Sequence, residues 1–362
     1  MSIWRHAAYL PKIAPQHRIT LGEGDTPLLH SRHIGPKLGL THLYFKLENC
    51  NATGSFKDRF AIVAASDMVA GGKKLCLATS SGNTGAALAA ACAVASISCY
   101  VAVVEGAPLS KVRNMQVYGA HTYTVRGFGQ DAAITAEVMD GLREICKQGG
   151  AALQISAYCH SPVAMTGTET IAYELYEQLN GLVDHVFTQA GGGGMTWAVT
   201  RGFQRLYELG RLRRVPAVHC VQPAGNDTIA GPLRRKMDRA REVTCTTAVS
   251  GLQVPNVLDG DAVIAACRAC SGNGYPVADE LIFETQRRLA REEGVFTEPA
   301  GATSVAGLLD AVRRGEVHEQ DHIVCTVTGI GFKDEKALAA MVNEATFPCL
   351  EVPAALDDFL PA

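Results

Sequence analysis

The run Asn51-Ala52-Thr53-Gly54-Ser55-Phe56-Lys57-Asp58 carries the most information in this chain. Lys57 follows a Gly-Ser turn and opens a helix-competent stretch, Phe60 to Val69. Its ammonium there lies beside the positive end of a helix dipole and beside Arg59, and both disfavour the protonated amine. A neutral, poised amine is what a Schiff-base nucleophile needs. Taken alone, the octapeptide favours chemistry only mildly over an ordinary exposed lysine at a helix start.

Two further stretches tip the balance. Thr79-Ser80-Ser81-Gly82-Asn83-Thr84-Gly85 follows a short apolar strand, Leu75 to Ala78, and precedes an alanine-rich helix, Ala86 to Ala95. Strand, polar Gly-rich turn and helix start together present free backbone N–H groups to an anion. Gln189-Ala190-Gly191-Gly192-Gly193-Gly194 lies in the same way between a strand, His185 to Thr188, and a helix, Met195 to Leu206. Four glycines in succession let a backbone wrap a phosphate with no Cβ in the way. Either turn alone is a tight connection and nothing more. In this order, with Lys57, they make chemistry the stronger reading. Thr297-Glu298-Pro299-Ala300-Gly301-Ala302 and Thr328-Gly329-Ile330-Gly331-Phe332-Lys333-Asp334 follow near the C-terminus.

These motifs resemble those of the fold-type II, tryptophan synthase β-like pyridoxal-phosphate enzymes, and among them the threonine synthases. Ile3-Trp4-Arg5, Leu10-Pro11, Leu21-Gly22-Glu23-Gly24-Asp25-Thr26-Pro27-Leu28 and the closing Thr-Gly-x-Gly-x-Lys-Asp at 328–334 narrow the likeness. It runs from about Trp4 to Asp334.

Composition agrees with a soluble enzyme. A chain of 362 residues can bury a large core and is expected to divide in two. Net charge is −3 with both signs interspersed, so there is no electrostatic footprint for nucleic acid. No apolar run is long enough to span a bilayer, and the N-terminal stretch does not read as a secretory signal; a cytoplasmic location is expected. Of 12 cysteines, Cys76, Cys92, Cys99, Cys220 and Cys325 fall in apolar segments and read as small buried hydrophobes. Cys267 and Cys270 form a C-x-x-C spacing, but no second pair stands at metal-site spacing, so no metal is expected.

Apolar strands near Leu43–Leu47, Leu75–Ala78, Ser98–Val104, Thr122–Val125, Val186–Gln189, Ala217–Val221 and Ile323–Val327 are separated by helix-length segments. Such alternation predicts α/β architecture with mainly parallel sheets. Ser271 to Pro276 reads as a loop, and the last dozen residues as a tail. The resemblance implies two open α/β domains. Residues 1–57 and 163–362 would form the large one, 58–162 a smaller insert, with the cofactor in the cleft between them.

The resemblance also implies roles. Lys57 would hold pyridoxal 5′-phosphate as a Schiff base and later move the α-proton. Gly191, Gly192, Gly193, Gly194 and the N–H of Met195 would hold the cofactor phosphate, and Asn83 the ring 3-oxygen. Ser81, Thr84 and Gly85 would take the carboxylate of a small amino-acid substrate. Thr328 would face the pyridine nitrogen; a hydroxyl there leaves that nitrogen largely unprotonated and favours elimination or replacement over transamination. Glu298 lies near the ring in the family pattern, while Pro299 after it also fits a plain helix-start acid. A homodimer is the family habit.

The reaction is less determined. Threonine synthases eliminate phosphate from O-phosphohomoserine and add water at Cβ. Their usual Asn-Pro-x-Arg-x-Glu-Gly-Gln-Lys-Thr reads here Ser161-Pro162-Val163-Ala164-Met165-Thr166-Gly167-Thr168-Glu169-Thr170. The arginine has become Ala164 and the lysine Glu169, which removes a bidentate phosphate clamp; the Gly-turn position that is commonly Asn is Gly192. His160, Arg113 and Lys111 are the candidate replacements, and Tyr158 in this segment reads as core. Three enzymatic readings stay open: a threonine synthase, a β-replacement enzyme resembling cysteate synthase, or a dehydratase or ammonia-lyase acting on a β-hydroxy amino acid. A cofactor binder without activity is a fourth, and the intact Lys57 argues against it.

Overall fold

A computed structural model describes residues 2–342. The expected C-terminal tail lies outside the described residues. Ten strands appear in chain order: β1 Leu28–His30, β2 His42–Leu47, β3 Leu75–Thr79, β4 Ser98–Val103, β5 His121–Thr124, β6 Ala151–Gln154, β7 His185–Gln189, β8 Ala217–Pro223, β9 Gly274–Val277 and β10 His322–Val327. They make a six-stranded sheet, ordered β1-β2-β10-β7-β8-β9, and a four-stranded sheet, ordered β5-β4-β3-β6. Every pairing is parallel except β1 with β2. The α/β expectation is met, because β3, β7, β8 and β10 are apolar and mostly buried, as strands covered on both faces must be.

One expected loop is a strand. Residues 274–277 pair with β8, Cys220 opposite Gly274 through Pro223 opposite Val277. β9 is the sheet's outer strand, and an edge tolerates Pro276, whose missing N–H faces away from the ladder. β1 and β6 are absent from the expected strands: β1 has three residues, and β6, Ala-Ala-Leu-Gln, shows no alternation.

The helix Lys57–Ala70 is the centre of the molecule. Residues 58–66 and Met68 are buried, so it is covered all round rather than on one stripe. It packs against helices Asn83–Ala95 and Pro162–Gln178. The second crossing is close because Gly167 lies on the backbone of Arg59, where a Cβ has no room. Arg59, fully buried, turns away from Lys57. It donates to Glu48 at 2.7 Å and to Glu174 at 2.6 and 2.7 Å, and Lys46 donates to Glu174 at 2.6 Å. The expectation that Arg59 depresses the Lys57 amine is therefore wrong: its charge is spent on two carboxylates.

Cys267 and Cys270 are buried. The Cys76, Cys92 and Cys99 sulfurs lie within 4.8 Å of one another in the core between the small sheet and the helix Asn83–Ala95. No helix of the described residues is long and apolar enough to cross a membrane.

Candidate active site

Two backbone bridges build the site's floor. Ser55 pairs with Gly329 and Thr297 with Ile330, both antiparallel. Phe56 N–H donates to Thr328 O at 3.1 Å, Ile330 N–H to Gly54 O at 2.9 Å, and Glu298 N–H to Gly329 O at 3.0 Å. The turn before Lys57, the turn after β10 and the start of helix Pro299–Arg313 thus meet at one junction. Above it opens a cavity of about 230 Å³ lined by Lys57, the 79–84 turn, Lys111, Ser156, residues 189–195, the 250–254 loop, Glu298 and Thr328.

Lys57 Nζ donates to Ser156 Oγ at 2.7 Å. Burial lowers its amine from the ordinary 10.5 to about 8, and the carboxylate of Asp259 opposes that fall. Desolvation thus supplies the poise that the sequence assigned to Arg59. Asp259 also braces the neighbourhood. Its carboxylate accepts from the N–H groups of Tyr158 at 2.8 Å and Cys159 at 3.0 Å, while its own N–H donates to Gly192 O at 3.1 Å.

The four-glycine turn enters helix Gly194–Glu208 with Gly193 at φ 95°, a left-handed conformation that favours glycine. A Cβ on Gly192 would lie 2.7 Å from Leu258 Cδ1, and one on Gly193 2.7 Å from Val263 Cγ2. No side chain caps this helix, and the N–H groups of Gly192, Gly193, Gly194 and Met195 find no protein acceptor among the described residues. Orphaned amides at a helix start that is mostly buried are a ready anion site.

Of the substrate-side residues, Ser81 and Thr84 line the cavity but Gly85 does not. Its N–H is taken by Ser80 Oγ at 2.9 Å. Asn83 Nδ2 donates to Glu298 Oε1 at 2.6 Å. Glu298, 2% exposed, is both the residue before Pro299 at a helix start and a carboxylate turned on the cavity, so the two sequence readings of it hold together. Lys111 Nζ donates to Ser250 Oγ at 2.9 Å and reaches Glu298 Oε2 at 3.4 Å, and Ser250 Oγ donates to Asp334 Oδ2 at 3.0 Å. Thr328 is met by Gln189 Nε2.

The departures from the family pattern resolve physically. Ala164 packs in the core and is absent from the cavity lining. Glu169 is buried and accepts from Tyr158 Oη at 2.9 Å, Tyr173 Oη at 3.2 Å and Arg201 Nε at 3.0 Å. Tyr158 is core, its ring 4.6 Å from that of Trp197. Of the three candidate cations only Lys111 lines the cavity; His160 and Arg113 do not. Ser156, Gln189 and Ser250 were not anticipated as site residues. The first two close strands or follow them directly, and the carboxyl ends of parallel strands are where α/β sheets place ligands.

A family profile described as "Pyridoxal-phosphate dependent enzyme" matches residues 19–329. The chain belongs to that family. The threonine synthase of Methanocaldococcus jannaschii is 33% identical over 343 residues, covering 93% of this enzyme and 82% of the relative. That of Halalkalibacterium halodurans is 30% identical and covers 96% of both chains. The structure of maize serine racemase superposes with a TM-score of 0.72 at 25% identity, covering 87% of this enzyme and 91% of that chain. The enzyme's cofactor is pyridoxal 5′-phosphate. The residues present suit it: a buried amine of lowered basicity, orphaned amides for a phosphate, and a hydroxyl, Thr328, on the same cavity wall.

Proposed function

We propose that this enzyme carries out threonine synthase-type chemistry on a small phosphorylated amino acid, releasing phosphate from O-phosphohomoserine and adding water at Cβ. The threonine synthase relatives along nearly the whole chain support this. The observation that carries it to a phosphorylated substrate is Lys111, an ammonium only 4% exposed on the wall of the cavity that holds Lys57. It stands in for the arginine that Ala164 replaces.

Bound in this cavity, pyridoxal phosphate draws electrons from the substrate's α-carbon and so makes its proton removable. Gly192 to Met195 would hold the cofactor's phosphate through their N–H groups, and Lys57 would hold its aldehyde group through Nζ. The Lys57 amine would also be the base for the α-proton, and Ser156 Oγ, which accepts an N–H from it, would orient it. Ser81 and Thr84 seat the substrate carboxylate. Asn83, anchored on Glu298, would meet the ring 3-oxygen. Lys111 pairs with the leaving phosphate, exchanging its contact with Glu298 for a stronger anion. In this reading residues 58–162 form the smaller domain, which brings the Asn83 turn and Lys111 to the large domain's Gly turn and Thr328.

The purified, cofactor-loaded enzyme is expected to release phosphate and threonine in equal amounts from O-phospho-L-homoserine. A second reading, β-replacement or dehydration of an amino acid with a neutral leaving group, is favoured by the fact that neither Ala164 nor Glu169 supplies a cation. No phosphate release, with the absorbance of the lysine-bound cofactor intact, selects it.

A further inference from the structure

Gln189 closes β7, and Thr326 and Thr328 lie at the end of its parallel neighbour β10. All three are buried, with Thr326 wholly enclosed. Thr326 Oγ1 donates to Gln189 Oε1 at 2.8 Å, its other acceptor being Phe187 O at 3.3 Å. The amide oxygen is thereby engaged, and the opposite end, Nε2, donates to Thr328 Oγ1. In this orientation of the amide, hydrogens run from Thr326 through Gln189 to Thr328. With an oxygen lone pair of Thr328 occupied by the amide, its own O–H has no protein acceptor among the described residues, and the residue lines the cavity.

We propose that Gln189 is a positioning residue that fixes Thr328 as a hydrogen-bond donor toward the cofactor's ring nitrogen. This rests on the assignment of Thr328 to that nitrogen. A ring nitrogen that receives the hydroxyl hydrogen is an acceptor and stays unprotonated; a protonated one would have to use the second lone pair of Thr328 and leave its buried O–H with no acceptor. Gln189 thus holds the electron sink at moderate strength, the setting suited to elimination and replacement rather than transamination. The residue sits in the Gly-turn motif as an apparently neutral spacer, and only the pairing of β7 with β10 gives it this place.

The test loads the enzyme with nitrogen-15-labelled pyridoxal 5′-phosphate and follows the ring-nitrogen resonance with pH. The wild type is expected to show an unprotonated, hydrogen-bonded nitrogen whose signal does not move across neutral pH. Gln189→Glu offers acceptors at both ends and captures the Thr328 proton. Its ring nitrogen is expected to lose that hydrogen bond or to titrate, with kcat lower by about tenfold or more at nearly constant KM. Gln189→Met, uncharged and of similar shape, frees the hydroxyl to rotate and is expected to shift the signal even if the glutamate variant folds poorly. Wild-type resonances in both variants would overturn the inference. Thr328→Val separates the two levels. If it alone shifts the signal, the Gln189 inference fails and Thr328 keeps its place; if it too leaves the signal unmoved, the placement of Thr328 fails.

Discussion

At the scale of single residues, Lys57 shows how burial does work that a neighbouring charge was expected to do. Its amine is lowered to about 8 against an ordinary 10.5, so the folded protein releases that proton earlier than the unfolded chain. Between those values the unfolded state binds more protons, and the apoprotein gains stability as pH rises from about 8 towards 10.5. Capture of pyridoxal phosphate by the apoprotein should accelerate as pH rises through about 8, the folded-state value, because only the neutral amine attacks. A stopped-flow series that is flat through that value would contradict the assignment. Lys57→Ala should lose the absorbance of the lysine-bound cofactor and keep the fold, which circular dichroism checks. Lys111→Gln tests the phosphate partner. It should raise KM for O-phosphohomoserine by roughly tenfold or more, as loss of one charge-assisted contact does, and leave the resting cofactor spectrum unchanged.

At the scale of elements, the turn Gly191–Gly194 was legible in the sequence because its information is local. Glycine, strand before and helix after are all written within a few residues, and the same holds for Ser81 to Thr84. Long apolar strands such as β7 and β10 were legible for a related reason: buried on both faces, they leave uninterrupted runs. The edge strand β9 was not, since Gly274 and Pro276 are turn residues wherever no neighbouring strand overrides them. Ser156, 99 positions from Lys57, and Ser250, 139 from Lys111, were invisible because only the tertiary structure joins them. The Gly turn yields its own prediction. Gly193→Ala forces a side chain into left-handed backbone at roughly 1–2 kcal/mol and drives a Cβ to 2.7 Å from Val263. Cofactor affinity, measured by equilibrium dialysis, should fall by about tenfold for each ~1.4 kcal/mol so lost at the bound turn.

At the scale of the whole molecule, Arg59, Glu48, Glu174 and Lys46 tie the N-terminal segment, β2 and two central helices together. Asp25 N–H also reaches Glu174, at 2.8 Å. Burial alone would raise the Glu174 carboxyl; the guanidinium of Arg59 more than reverses this and holds it well below the usual carboxylate range. A carboxyl depressed on folding stabilises fully above its unfolded value of 4.5, and that stability is withdrawn as pH falls further. Glu174→Gln strands the buried Lys46 and leaves Arg59 with Glu48 alone, and should cost about 3–5 kcal/mol in urea unfolding, with the acid sensitivity reduced. The bridges Ser55–Gly329 and Thr297–Ile330 have an effect of another kind. Lys57, Thr328 and Glu298 ride on main chain knitted directly together, whereas Asn83 and Lys111 reach that platform through side chains alone. One wall of the pocket is therefore masonry and the other upholstery. Point substitutions can refit the second for a new substrate, while the first, held by main-chain pairing, yields to no single side-chain change.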